Sequence, residues 1–409
     1  MKKNIILLSS CLILAVQSCF TQSAGWLSWR GPSADGSTPE TNWNLNKINA
    51  GNALLWKTNV GTGHSAVAVR GNKVYTMGNF EVQENNFLDR VVCLDASTGN
   101  IVWHYDYAMK ELEDPGPFST PVIEGTYLYT LSRGGHLHCF DADKGTVVWE
   151  KHLVDQQLIP GDAELACSPL IMDDLLILNI NKNGLALNKR TGETVWSSDP
   201  NKSSLSTAVP YMIGGKRWIT IQDDDSTSCV DPQSGNVLWT IPEAFITDPL
   251  IVDDRMLVFS YKGSSLYNIA SNPPTRIWNN PALKARFQSF VKKGDFAYGF
   301  INQGGDKLIC FESGTGTIKW TEKVSAGSLI ISNGILILID KEGILRFIEA
   351  SPNGYNELAS APVIEMAATD TRGKEYRRIC GCWTNPVLCD GKIYVRNTYG
   401  ELVCLDVGV

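Results

Sequence analysis

Five side chains able to do chemistry stand at matching points of the chain, each close before a run of strand-forming residues: His64, Asp248, Arg286, Trp383 and Asn385. A carboxylate such as Asp248 can hold a metal ion or a proton. A guanidinium such as Arg286 can clamp a carboxylate, and the indole of Trp383 can stack on a flat ring. If one end of the fold gathers these residues, they form a small-ligand site. The alternative is a polar opening that holds only water.

Recognisable catalytic motifs are missing from the sequence. It has no glycine-rich phosphate loop, no zinc-protease helix motif and no nucleophile elbow. We therefore predict no catalytic residue, no metal centre and no resident cofactor.

The 11 cysteines fall into three groups. Two belong to the N-terminus, Cys11 and Cys19. Five occupy one position of an internal repeat, where a small buried residue is needed and where Ala186 stands in another copy: Cys93, Cys139, Cys229, Cys310 and Cys404. Equivalent sites on neighbouring repeats lie too far apart for a disulfide, so we expect these five to serve packing. The others remain open as redox or disulfide partners: Cys167, Cys380, Cys382 and Cys389.

Composition and charge bound the class of protein. The chain has 409 residues, 43% hydrophobic and 19% charged, with 36 Lys plus Arg against 43 Asp plus Glu. This apolar content excludes a disordered chain. The net charge of −7 without a basic stripe argues against nucleic-acid binding. Outside the N-terminus, no apolar run approaches the ~20 residues that a membrane helix needs.

A repeated phrase organises the chain. Apolar residues with a small one among them lead to an acid or amide, a Thr-Gly type of turn and then tryptophan, as in Leu94 to Trp103. The anchors of the copies are Trp56, Trp103, Trp149, Trp196, Trp239, Trp278, Trp320 and, in a degenerate copy, Leu358. A period in the forties with four strand-like runs per unit is typical of a propeller blade.

The ends of the chain complete this pattern. Leu402 to Asp406 is the third strand of an eighth unit without a fourth strand, and Ala53 to Trp56 is a fourth strand without a unit before it. Pairing them closes the ring and removes exposed strand edges. We therefore predict an all-β fold: an eight-bladed β-propeller of four-stranded antiparallel blades, in which the N-terminal strand completes the last blade.

The N-terminus resembles a secretory leader. Lys2 and Lys3 precede an apolar stretch from Ile5 to Val16. Val16 to Cys19 resembles a bacterial lipobox, which would make Cys19 the lipidated first residue; ordinary cleavage near Ser23 is the alternative. We expect a signal peptide at 1–18, an extension at 19–51 and a propeller at 52–409. The mature chain would be exported to the periplasm or the outer membrane.

The phrase Leu-Asp-Ala-x-Thr-Gly-x-x-x-Trp at Leu94 to Trp103 resembles the repeat of pyrroloquinoline-quinone (PQQ) propellers, and the likeness covers residues 52–406. The motif Trp26 to Pro32 resembles the start of exported proteins with PQQ-binding-like propeller repeats. Two branches share such repeats: quinoprotein alcohol dehydrogenases and the non-enzymatic lipoprotein of the outer-membrane barrel-assembly machinery. The dehydrogenases hold PQQ against a pair of adjacent cysteines, and this sequence has no Cys-Cys pair.

Two functions follow as hypotheses. The first is an exported, non-catalytic scaffold, monomeric and lipid-anchored, which binds a protein or an envelope polymer with one face of the ring. The second is a small PQQ-dependent quinoprotein that oxidises an alcohol or a sugar. Three long segments are expected to be loops that carry partner binding, namely 104–118, 150–166 and 359–382.

Overall fold

A computed structural model describes residues 25–84, 86–109, 116–161, 164–200, 205–244, 247–285, 289–302, 304–366 and 381–409. Over these residues the chain folds into eight β-sheets with one four-residue helix. None of the helical structure in these ranges is long and apolar enough to cross a bilayer.

The elements follow the repeats in chain order. The described chain begins with β1 (Ser37–Thr38), α1 (Asn46–Asn49) and β2 (Leu54–Asn59). Blade 1 is formed by β3 (Ala68–Arg70), β4 (Lys73–Gln83), β5 (Asn86–Asp95) and β6 (Ile101–Met109), and blade 2 by β7 (Val122–Glu124), β8 (Tyr127–Leu131), β9 (His136–Asp141) and β10 (Val147–His152). Blade 3 is formed by β11 (Leu170–Met172), β12 (Leu175–Leu178), β13 (Leu185–Asn188) and β14 (Thr194–Ser197), and blade 4 by β15 (Val209–Ile213), β16 (Lys216–Gln222), β17 (Thr227–Val230) and β18 (Val237–Ile241). Blades 5 to 8 are formed by β19 (Leu250–Val252), β20 (Arg255–Val258), β21 (Ser264–Asn268), β22 (Thr275–Asn280), β23 (Val291–Lys293), β24 (Phe296–Asn302), β25 (Asp306–Glu312), β26 (Thr317–Glu322), β27 (Gly327–Ser332), β28 (Ile335–Asp340), β29 (Ile344–Glu349), β30 (Glu357–Pro362), β31 (Val387–Cys389), β32 (Lys392–Arg396) and β33 (Glu401–Asp406).

The ring closes as the sequence predicts. In blade 8 the strand order is β2-β33-β32-β31, and β2 pairs antiparallel with β33 so that Trp56 lies opposite Cys404. The predicted eight-bladed propeller, with its N-terminal strand in the last blade, is confirmed. One strand was not predicted: β1 pairs in parallel with β27 and gives blade 7 a fifth strand.

Antiparallel blades give the ring two different faces. The hairpin between the first two strands and the Thr-Gly turn between the last two lie at the same end of each blade, as the bond from the Ala96 amide to the Asn72 carbonyl shows for blade 1. We call this end the turn face. The opposite end, which carries the loops that enter the first strand of each blade, is the loop face.

In six of the eight blades a tryptophan is hydrogen-bonded to the next blade along the chain. Six indole N–H groups donate to a carbonyl in the turn of the following blade, at 2.8–3.1 Å: Trp56 to Ala96, Trp103 to Ala142, Trp149 to Lys189, Trp196 to Pro232, Trp278 to Ser313 and Trp320 to Ser351. The turn glycine lies flat on the same ring. Gly145 has φ +73°, and a Cβ there would lie 2.5 Å from the Trp103 indole. Only glycine satisfies both demands.

The repeated cysteines pack beneath these tryptophans. Cys93 lies opposite Trp103 on the neighbouring strand, and a register shift follows between Cys93 and Leu94. The five repeat cysteines are free and fully buried. Burial raises the pKa of the Cys93 thiol to about 12. The packing role predicted for them is confirmed.

Blade 7 departs from the expected anchor. Leu358 was assigned to the tryptophan position, but Ala359 lies there, opposite Phe347, and Leu358 is the residue skipped by the register shift. The large and small residues have exchanged strands, since Phe347 takes the place that cysteine has elsewhere. An indole is still supplied: Trp43 packs 6.0 Å from Phe347, in the same hydrophobic cluster as Ala359.

Two of the expected loops begin later than predicted. Residues 104–109 continue the outer strand β6, and residues 150–152 continue β10. Tyr105 and Tyr107 alternate with the more polar His104 and Asp106, which is a strand period that the acid-rich stretch behind it obscured. In the third expected loop, residues 359–362 belong to β30, and residues 367–380 lie outside the described ranges.

The bonds between blades can be tested by a matched pair of substitutions. Trp149→Phe removes an indole that donates to the Lys189 carbonyl. The Trp239 indole N–H has no partner among the described residues, so Trp239→Phe removes similar apolar area but no such bond. We expect Trp149→Phe to lower the free energy of unfolding by about 1–2 kcal/mol more than Trp239→Phe, in denaturant titrations. Equal losses would show that the bond contributes nothing.

Candidate functional site

The N-terminal extension crosses the turn face and closes the central channel. Trp26 exchanges backbone hydrogen bonds with Val69, the Leu27 carbonyl accepts from the Ile123 amide, and the Gly36 carbonyl accepts from the Ile331 amide. These partners lie on the first strands of blades 1, 2 and 7, and between them the extension also contacts Asp248 and Phe290, which precede the first strands of blades 5 and 6. The extension therefore spans the opening instead of following its rim.

Asp248 holds the centre of this crossing. Its Oδ2 accepts from the Trp29 indole at 2.7 Å, and its Oδ1 accepts from the Thr207 amide at 2.8 Å. The side chain is fully buried. Burial raises the pKa of Asp248, while Arg30, the Thr207 amide and the Trp29 indole oppose the shift. The carboxylate considered for a metal or a proton is thus bound by the protein's own extension.

Arg30 is the second residue of the extension at this acid. We call the contact of Trp29 and Arg30 with Asp248 the plug. Its Nη2 donates to the carbonyls of Phe290 and Asp35, at 2.5 and 2.8 Å, and its Nη1 lies 3.9 Å from the Asp248 carboxylate. Burial lowers the pKa of the guanidinium, and the two acids oppose this. Asp248 and Phe290 both precede the first strand of their blades, so Trp29 and Arg30 reach up the channel from the turn face.

At the loop face, His64 meets Phe118 edge to face, with ring centroids 4.7 Å apart. The Arg133 guanidinium stacks 4.4 Å from the Phe118 ring centre. Burial, together with Arg396 and Arg133 nearby, lowers the pKa of His64 to about 3. His64 is therefore neutral at physiological pH, and its Nε2 is buried without a hydrogen-bond partner in the described structure.

Arg396 fixes the junction between blades 8 and 1. Its Nη1 donates to the Ser65 and Met77 carbonyls and to the Thr76 hydroxyl, and its Nη2 donates to the Gly61 carbonyl, all at 2.7–3.1 Å. Burial lowers the pKa of this guanidinium to about 9. Four acceptors from one blade bind a side chain of the other, so Arg396 has a structural role next to His64.

The other predicted site residues have separate surroundings. Trp383 is half-buried, and its carbonyl accepts from the Ser328 hydroxyl at 2.6 Å. Asn385 is buried two residues further along. Arg286 lies outside the described residues. The structure thus links His64 to Phe118 and Asp248 to the extension, and whether the five residues bind one ligand remains a prediction.

Sequence reasoning missed the partners of Asp248. Trp29 and Arg30 were noticed only as part of a family motif, and 219 residues separate Trp29 from Asp248. Arg133 and Arg396 were also missed, because nothing in the local sequence marks either arginine as buried. The sequence does carry one signal, which is charge complementarity. The extension has a cationic Trp29-Arg30 dipeptide, and Asp248 is an isolated acid before the first strand of a blade.

Three of the cysteines outside the repeat position, Cys167, Cys382 and Cys389, are also buried. Cys167 and Cys382 are free thiols, and Cys380 lies outside the described ranges. Burial raises the pKa of the Cys167 thiol to about 12. Cys389 lies near Glu40 and Asp390, a grouping that could hold a metal ion by distance alone. The Glu40 carboxylate, however, accepts from the Asp390 amide at 2.6 Å and from the next amide at 3.3 Å, so it caps a hairpin.

The described side chains do not fit a quinone cofactor. The sequence has no adjacent cysteine pair. The buried acid of the channel, Asp248, is engaged by Trp29 and Thr207, and Arg30 lies beside it. A flat ring placed at this acid would have to displace the extension. We derive no chemical step through PQQ.

The sequence is similar to those of known proteins. A family model described as outer membrane protein assembly factor BamB matches residues 88–186 and 181–282. Outer membrane protein assembly factor BamB of Shewanella oneidensis is 22% identical in an alignment 338 residues long, which covers 75% of this chain and 78% of that protein.

Solved structures show the same fold at low identity. BamB from Moraxella catarrhalis is 15% identical with a TM-score of 0.59, over 86% of this chain and 98% of that one. The quinohemoprotein alcohol dehydrogenase of Comamonas testosteroni is 12% identical with a TM-score of 0.69, over 94% of this chain and 80% of that one. At this identity the structures establish the fold alone.

The fold defines the class of protein: the chain is an eight-bladed β-propeller, and its residues 88–282 match a PQQ-like repeat model. Within that class it is similar in sequence to BamB and in fold to both BamB and a quinoprotein alcohol dehydrogenase.

The plug can be tested at its central acid. Asp248→Ala leaves the Arg30 guanidinium buried without its acid, which costs about 3–5 kcal/mol in comparable cases. We expect a lower free energy of unfolding and faster proteolysis within residues 25–43. Asp254→Ala, which removes an exposed hairpin acid, is the control and should change neither. Unchanged proteolysis of Asp248→Ala would contradict the plug.

Proposed function

We propose that this chain is an exported, non-catalytic scaffold that binds a protein partner with the loop face of its ring and acts in outer-membrane protein assembly. The observation that carries the proposal is the relation to an outer membrane protein assembly factor over three quarters of the chain. An envelope polymer is the alternative occupant of the same face.

The geometry supports the loop face as the binding surface. The extension crosses the channel opening at the turn face and fills the channel from that side. The loops that enter the first strand of each blade lie at the opposite face. A rigid ring that presents loops on one side is a common platform for binding.

A lipid anchor at Cys19 would be consistent with this orientation. Gly25 lies next to Trp26, which is fixed at the turn face. Gly25 is six positions after Cys19, and a chain of that length spans at most about 20 Å. A lipid there would hold the turn face towards the membrane and direct the loop face away from it.

The anchor is tested by the mass of the mature N-terminus. We expect a diacylglycerol adduct on Cys19, and a free N-terminus near residue 24 would exclude it. The Cys19→Ser variant should lose the adduct and leave the membrane fraction.

The scaffold role is tested by photo-cross-linking in the host cell. Exposed loop-face positions are Gln83, Asp155 and Asp224, and exposed turn-face controls are Thr126 and Asp254. We expect adducts with another protein of the cell envelope from the first set and none from the second. Adducts from the turn face alone would contradict the proposed orientation. Reduction of a dye by purified chain with PQQ and an alcohol would contradict the non-catalytic role.

A further inference from the structure

Blade 1 is longer than the other seven. Its second, third and fourth strands, β4, β5 and β6, have 11, 10 and 9 residues. The corresponding strands of the other blades have four to seven. At least three additional residues per strand raise this blade about 10 Å or more above its neighbours. Because β4 and β5 meet in a hairpin at the loop face, the blade protrudes on that side.

The protruding part is rigid. Asn79 and Thr62 exchange backbone hydrogen bonds at 2.8 and 2.9 Å, which ties β4 to the loop that enters blade 1. The side-chain amide of Asn79 donates to the buried Asp89 carboxylate at 2.8 Å. Arg90 on β5 binds Asp106 on β6 through two hydrogen bonds of 2.7 and 2.6 Å. The three strands therefore form a stable sheet beyond the ring.

The outer edge of this sheet has no neighbouring strand among the residues that the structure describes. The strand order in blade 1 is β3-β4-β5-β6, so within that part of the chain β6 is hydrogen-bonded to a strand along one side only. Its nine residues exceed the four to six of the other outer strands. Natural proteins keep free edges short, because a long one is a template for another strand. Partners use such edges by adding an extended segment to the sheet.

The surroundings of this edge are acidic and aromatic. Tyr105 and Tyr107 lie on the side of β6 that faces blade 2, where the Tyr105 hydroxyl is 3.5 Å from Glu150 on β10. The Glu150 side chain is 63% exposed, and that of Asp155 is 76% exposed beside His152. On the other side of β6, Asp106 neutralises Arg90. Exposed acidic charge, with only histidines and a tyrosine hydroxyl beside it, is thus available to a ligand at the blade 2 side.

We propose that the β6 edge of blade 1 binds an extended, cationic segment of a partner protein by strand addition. The partner's backbone pairs with β6, and basic side chains on alternate residues meet Glu150 and Asp155. Alternation follows from the strand period, because every second side chain of an added strand points to the same side. This inference rests on the proposed scaffold function and names its surface and the chemistry of its partner.

The test uses purified full-length protein and a labelled nine-residue peptide that alternates threonine and lysine. We expect binding in fluorescence anisotropy, and protection from hydrogen exchange confined to residues 101–109 and the adjoining β10. A peptide of the same sequence with N-methyl groups on alternate residues keeps the charge but cannot pair. It should bind at least tenfold more weakly.

Charge reversals locate the site. The double variant Glu150→Lys/Asp155→Lys should bind the peptide about five- to tenfold more weakly, since two exposed attractions become repulsions. Glu322→Lys, on the short outer strand β26, is the matched control and should bind as the parent does. Equal binding of the N-methylated peptide, an equal effect of Glu322→Lys, or no binding would each overturn the proposal.

The result is distinguishable from the fate of the proposed function. If the peptide does not bind but loop-face positions still cross-link to an envelope protein, the scaffold remains and this surface is excluded. If the peptide binds with the expected pattern and no cross-links form in the cell, the edge is competent but the scaffold role fails.

Discussion

The whole ring depends on one contact that is repeated between blades: an indole inserted under the turn of the next sheet. The tryptophan ring fills the wedge between two diverging sheets, its N–H satisfies a turn carbonyl, and a left-handed glycine allows the turn to lie flat on it. Each of the three residues requires the other two. A substitution at one point therefore affects two blades, and the closed ring leaves no terminal blade with a free face.

The extension supplies an indole to the blade in which the repeat has no tryptophan. Blade 7 has Ala359 in the tryptophan position, and Trp43 provides an indole in that cluster from more than 300 residues earlier in the chain. At the channel, Trp29 and Arg30 bind a buried acid that would otherwise be unpaired. Residues 25–43 are thus part of the folded ring.

Local patterns made most of the fold predictable. Tryptophan, a turn glycine and a strand period lie within about ten residues of one another, so the eight blades and the closing strand could be read from the chain. The exceptions all involve distant partners. Leu358 was chosen over Ala359 because an alanine has no anchor signal without knowledge of Trp43. Asp248 was assigned to a ligand because its actual partners lie in another part of the sequence. The strand at 104–109 was hidden by the acid-rich residues that follow it.

The most direct test of this account is hydrogen exchange at two amides whose acceptors belong to the extension. The Ile123 amide donates to the Leu27 carbonyl, and the Ile331 amide donates to the Gly36 carbonyl. If the extension is integral to the ring, both amides exchange as slowly as those inside the blades. Rapid exchange at both, with the blades themselves protected, would show an open channel and an extension that is not part of the fold.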